Sequence, residues 1–238
     1  MKKPTKEEVE VLLSNHKEYL EGKRSESSDF SWLDLSGLDL SNSNLRGAKL
    51  TGAKLTGAKL TGAKLTGAKL TEANLHKANL ENAKLEDAKL EDAKLTYANL
   101  RCANLTGSNL TEANLRFANL YDAGLSEANL TGANLSLSDL RCASLYEANL
   151  TEANLTEAIL YCSKLNGIIG REIFTFQFSK DFGYYCDGYI KIGCKYMTVD
   201  EWLEKYKEIG KESGYSDREI QVYGGIIRFI KENIHQNS

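Results

Sequence analysis

Leucine stands at every fifth position from Leu35 to Leu165, 27 in unbroken register, and Phe30 extends the series to 28. Two residues before most of them lies a small side chain, as at Ala48, Ala53, Ala73, Ala103 and Ala148, so the unit reads Ala-Asn/Lys-Leu-x-x. No α-helix accommodates this beat. At roughly 100° per residue, successive leucines would scatter around the helix instead of forming a stripe. In an extended chain, Ala and Leu two apart point the same way, and the remaining Gly, Thr, Glu, Asn and Asp suit a corner. Each unit is one short side, apolar inward, followed by a turn. A single side cannot bury its leucine, whereas a stack of sides can. The chain has to be a solenoid.

The number of sides per turn shows in the segments RCANL (101–105), YDAGL (121–125), RCASL (141–145) and YCSKL (161–165). Arg101 and Arg141 alternate with Tyr121 and Tyr161 at a step of twenty, and Cys102, Cys142 and Cys162 keep the same step. Four sides per coil predict about seven coils, a shaft of roughly 34 Å at ~4.8 Å per layer. Arg101, Tyr121, Arg141 and Tyr161 then form a cation–π ladder, worth about 0.5–1 kcal/mol per exposed contact.

Runs such as ANLTEANLTEAIL and AKLTGAKLTGAKL resemble the pentapeptide-repeat family over residues 30–168. The resemblance implies an all-β solenoid, a right-handed quadrilateral parallel β-helix. One departure stands out. The site between Ala and Leu is normally Asp or Asn in that family, but here it is lysine at Lys49, Lys54, Lys59, Lys64, Lys69, Lys84, Lys89 and Lys94. Lys cannot accept the short side-chain-to-backbone bonds that Asn accepts, so those corners should be held less firmly.

Residues 1–29 read as an amphipathic helix over 5–21 plus a linker. Val9, Leu12, Leu13, His16, Tyr19 and Leu20 make one stripe, Thr5 with Glu8 a capping box, and Gly22 a stop. Beyond 168 the beat ceases, and residues 169–238 form a small α+β module. IFTFQF (173–178) and YIKIGC (189–194) read as a β-hairpin joined by an aromatic, Gly-containing loop. Thr198 caps a helix to about Gly210, and Ser216 with Glu219 opens another to about Ile234, interrupted at Gly224-Gly225. Both flanks are expected to cap the open strand edges of the solenoid. A helix before the repeats and an IKIGCKYMTVDEW-type segment after them also resemble bacterial and phage members of the family.

Nothing in the chain gathers the groups that chemistry needs. His16, His76 and His235 are not spaced to share a metal or a nucleophile, and Cys186 and Cys194 lack zinc-site spacing. Glycines recur as Thr-Gly corners, not as a phosphate cradle. No catalytic residue, cofactor or metal is expected. No apolar run reaches a membrane span, and the N-terminus turns acidic before an apolar core could form, so no signal peptide and a cytoplasmic setting with reduced thiols are expected.

Surfaces say more. Residues 30–168 carry 14 bases and 15 acids, the bases dominating between Asp39 and Glu72. That basic stretch reads either as recent duplication of TGAKL or as weak attraction to phosphates, and without interleaved aromatics nucleic acid is disfavoured. Tyr97, Phe117 and Leu137 share one corner in successive coils. Three stacked apolar side chains mark either a contact site or the seat of a terminal helix of the same chain. The candidate partner-binding residues are these three with Arg101, Tyr121, Arg141 and Tyr161. The expected function is a non-catalytic, rod-like scaffold docking a protein partner, a second copy of the chain being one candidate. The alternative is borrowed from the resemblance: a duplex-DNA mimic modulating an enzyme such as gyrase, which the near-neutral repeats fit poorly.

Overall fold

The structure, a computed structural model, describes residues 1–170, 173–178, 181–186 and 188–233. It falls into two units, Met1–Gly170 and Arg171–Ser238. In the first, parallel bridges join residues twenty apart without a gap from Asp29↔Lys49 to Asn149↔Ile169, each through the site between Ala and Leu. One turn of chain therefore holds four pentads. Around Leu55 the pattern is plain. Leu55 N–H donates to Asn74 O at 2.7 Å, Gly57 N–H to His76 O at 2.9 Å, and Lys54 N–H to Leu33 O at 2.9 Å, while Ala58 N–H closes the corner on Leu55 O at 3.0 Å. Each pentad is thus tied to the coils on both sides through its backbone, which satisfies groups that burial would otherwise leave unpaired.

The leucines of the five-residue register fill the interior. From Leu35 to Leu160 they are at most 4% exposed, and the alanines beside them 0–1%. At Ser138, which replaces Ala, the hydroxyl donates to the carbonyl of the preceding Leu135 at 2.6 Å, so that polar atom is buried with a partner, whereas the buried Ser108 hydroxyl at the same site of another pentad has none. The second corner residue of each pentad has positive φ, a left-handed conformation that Gly adopts freely and that disfavours a Cβ. Nineteen of these corners carry a non-glycine residue, including Tyr97, Phe117 and Leu137 at φ 59–60°. Side chains at these sites are presented outward at the corners because the ladder over-determines the backbone there.

The Asn and Lys sites differ as their chemistry demands. Asn79, Asn99, Asn104, Asn109 and Asn119 each accept the backbone N–H two residues on, at 3.0–3.2 Å. No such bond forms at Lys49, Lys54, Lys59, Lys64 or Lys69, yet the leucine N–H bonds of the ladder through those coils stay at 2.7–2.8 Å, as for Leu50 N–H to Lys69 O and Leu55 N–H to Asn74 O.

Helix α1 (Lys6–Leu20) starts at Thr5 with both capping-box bonds to Glu8. His16 is fully buried, set edge-on to Phe30 at 6.3 Å. Its Nε2–H donates to Arg46 O at 3.1 Å, because a carbonyl can only accept, which leaves Nδ1 buried without a partner. Lys2 adds a parallel bridge to Leu33 and accepts the Asp34 N–H at 2.8 Å, so the first residues pair with a strand edge that the repeats alone would leave open.

The second unit is a four-stranded antiparallel meander, β1 (Phe174–Phe178), β2 (Asp181–Cys186), β3 (Tyr189–Ile192) and β4 (Lys195–Thr198), followed by α2 (Val199–Glu212) and α3 (Asp217–Asn233). Two expectations need correction. The segment read as a loop of a hairpin is strand β2: Gly183 sits between Phe176 and Ile192, and Tyr184 and Tyr185 are buried at 1–2%. Aromatic side chains with a face to bury outweighed the glycine as a local signal. Nor does Gly224-Gly225 break α3. A Cβ on Gly224 would meet the Tyr206 ring at 2.4 Å, so glycine is what allows α2 and α3 to approach there. Trp202, Leu203 and Tyr206 line that packing with Tyr223, Ile227 and Ile230, and Trp202 Nε1 donates to Ile190 O at 2.7 Å. His235 and Ile234 lie outside the described residues.

Candidate protein interface

One side of the first unit carries all the residues that the sequence singled out. Its middle column consists of the sites between Ala and Leu: Asn79, Asn99, Asn119, Asp139 and Ile159, bridged in series at a step of twenty. The corner before this side bears Tyr97, Phe117 and Leu137; the corner after it bears Arg101, Tyr121, Arg141 and Tyr161. Four residues separate the two rows along the chain, so both border the same short side.

On the first corner Tyr97 and Phe117 stack at 4.7 Å with planes 8° apart. His76 meets Tyr97 edge-on at 5.9 Å, and the Arg116 guanidinium lies 4.3 Å from the Phe117 ring centre. Tyr97 and Phe117 thus cover one face of each other, with the Arg116 guanidinium also over Phe117. Tyr97 is 49% exposed, with Phe117 and Leu137 half-buried.

On the second corner the guanidinium groups of Arg101 and Arg141 flank Tyr121, each 5.6 Å from its ring centre. Both charges are matched within the chain. Arg101 donates to Glu81 Oε1 at 2.9 Å, and Arg141 grips Asp139 through Nε at 2.8 Å and Nη2 at 2.6 Å. Burial pushes the Asp139 carboxyl up, but the Arg141 hydrogen bonds outweigh it and hold the group below its ordinary value. Cys142, through the charge of its thiolate and then as a hydrogen-bond partner, pushes the Tyr121 hydroxyl above its ordinary value, and Cys162, first through a hydrogen bond and then through its charge, does so at Tyr161, which is 42% exposed. Across the middle, Asn99 Nδ2 donates to Asn79 Oδ1 at 3.1 Å. Among the described residues no three His, Cys, Asp or Glu side chains converge as metal ligands would. The surface offers partly exposed aromatic rings and hydrogen-bonding amides, with its guanidinium charges on the second corner already neutralised.

Sequence reasoning missed Ile159. It replaces the Asn or Asp of the middle column, is 39% exposed, and lies between Glu157 on the first corner and Tyr161 on the second. The signal was legible: TEAIL (156–160) is the pentad in which an aliphatic side chain takes the outward site beside an unbroken Leu register.

A column with four pentads per turn, Leu and Ala within and ladder bonds between coils, defines a pentapeptide solenoid. The model of the pentapeptide repeats matches the chain in eight copies between residues 28 and 169, and the protein belongs to that family. Among solved structures it is similar to HetL, a pentapeptide repeat protein involved in heterocyst differentiation regulation in the cyanobacterium Nostoc sp. strain PCC 7120. That match has 36% identity over 60% of this chain and 76% of the other, with a TM-score of 0.35. It is also similar to the plasmid-mediated fluoroquinolone resistance protein QnrB1 (22% identity, 57% and 72% covered, TM-score 0.39). A third is a thylakoid-lumen pentapeptide repeat protein of Arabidopsis thaliana (31% identity, 48% and 68% covered, TM-score 0.18). No curated protein matches the chain.

Proposed function

We propose that this protein is a non-catalytic scaffold that docks a protein partner along the side bounded by Tyr97, Phe117, Leu137 and by Arg101, Tyr121, Arg141 and Tyr161. In this reading residues 30–168 are a right-handed, squared column of about seven coils in a cytoplasmic setting, and residues 169–238 form the capping module. One observation carries the docking reading: aromatic and aliphatic side chains on both corners and at Ile159 border a single side, with Tyr97, Ile159 and Tyr161 each 39–49% exposed. Such a contiguous set is uncommon on a surface without a contact to make.

Affinity purification from the native cell, followed by mass spectrometry, tests it with the wild-type chain and Phe117→Glu. The wild type should retain a defined set of proteins that the variant loses. Identical sets for both would overturn the reading. The alternative, a DNA mimic acting on gyrase, draws no support from 14 bases against 15 acids in the repeats, and unchanged supercoiling at micromolar protein is the expected result.

A further inference from the structure

We infer that this same side pairs with a second copy of the chain, the two columns lying parallel about a two-fold axis that runs along the Asn79–Ile159 column. The inference rests on the docking reading above and names its partner. A two-fold axis in that position sets each residue of the first corner against the residue four further along in the second copy. It sets the residue just outside that corner against the one six further along, so the contact is isologous.

The charges fit this arrangement. Lys77 and Arg116 are exposed and have no acid within the chain among the described residues, and exposed Asp122 has no base there. In the parallel pair Arg116 meets the second copy's Asp122, and Lys77 meets its Glu81, which already holds Arg101. Phe117 meets the second copy's Tyr121, Ile159 on the axis meets its own counterpart, and Tyr97 and Leu137 meet its Arg101 and Arg141. An antiparallel pairing centred on Asn119 instead sets Arg116 against Arg116 and Asp122 against Asp122, like charges that disfavour it. Five coils at ~4.8 Å make a patch about 24 Å long.

Sedimentation equilibrium of the full chain between about 5 and 500 μM is the test, with circular dichroism melts verifying that each variant folds. The wild type should dimerise and Phe117→Glu should stay monomeric. Arg116→Asp should raise Kd about tenfold, since two symmetric ion pairs become repulsions. Adding Asp122→Lys should bring it back, and the backbone tolerates Lys there because Lys77 has the same φ of 56°. A wild type monomeric throughout, a dimer indifferent to Phe117→Glu, or a double variant no better than Arg116→Asp would each overturn the inference. A monomeric wild type that still captures foreign proteins lost by Phe117→Glu would leave the docking reading standing without this partner.

Discussion

Replacing Lys59 by Asn should stabilise the first unit, and the structure permits the gain to be worked out. Lys59 occupies the outward site before the corner Thr61-Gly62, and the Thr61 N–H has no acceptor among the described residues. Where Asn precedes Thr, as at Asn104 and Thr106, Asn Oδ1 accepts both the Thr N–H at 3.1 Å and the Thr hydroxyl at 2.7 Å. One coil further on, Asn79 has the Nδ2 group that could donate to the introduced amide oxygen, repeating the Asn99-to-Asn79 link of 3.1 Å. Three half-exposed hydrogen bonds at the low end of their range give roughly 1.5 kcal/mol. Ordering the amide subtracts part of this. The Lys59–Asp39 pair that is lost spans 3.9 Å between exposed groups and contributes little. The net expectation is about 1 kcal/mol, or ~2–4 °C in Tm for a unit of this size. Thermal and urea melts by circular dichroism should rank Lys59→Asn above wild type, and Lys59→Gln at or below it, since the longer side chain cannot close the same short ring. Equal stability of the Asn and Gln variants would refute the view that these lysines cost the column its corner bonds.

Other outcomes follow from the same coordinates. Leu95, fully buried in mid-column, should lose about 3–5 kcal/mol on replacement by Ala, read as a shifted urea midpoint. In α3, Gly225→Ala meets open space and should stabilise by about 0.5–1 kcal/mol, whereas Gly224→Ala drives a Cβ into Tyr206 and should lower Tm. His16 is held neutral: burial pushes its value below the ordinary 6.5, and the bond to the Arg46 carbonyl only partly opposes this. The unfolded chain then takes up the proton first, so stability is complete above about pH 6.5 and declines below it. The drop in urea midpoint between pH 7.5 and 5.5 should shrink in His16→Gln.

The repeat is where sequence and structure agree most closely. A Leu every fifth residue and an Arg/Tyr alternation every twentieth leave one way to stack the chain, because side-chain direction in an extended segment has a period of two and the corners must return each leucine to the same interior. The Tyr97–Phe117 stack and the Arg101–Tyr121–Arg141 ladder were legible for that reason, as was the absence of corner bonds at lysine. The flanks were less so. Strand β2 was obscured by Gly183, and α3 by Gly224, since local propensity cannot register a sheet partner or a helix set close enough to require a missing Cβ.

The linear order of residues by itself determined the coil length, the Leu-Ala interior and which side chains lie above one another, since each follows from a period that the backbone converts directly into position. Only the folded chain decided how far Ile159 is exposed, that Lys2 pairs with the open edge at Leu33, and that the Arg101 and Arg141 charges on the candidate side are already matched by Glu81 and Asp139. Those features depend on exposure and on distances between side chains from different coils, which no local pattern encodes.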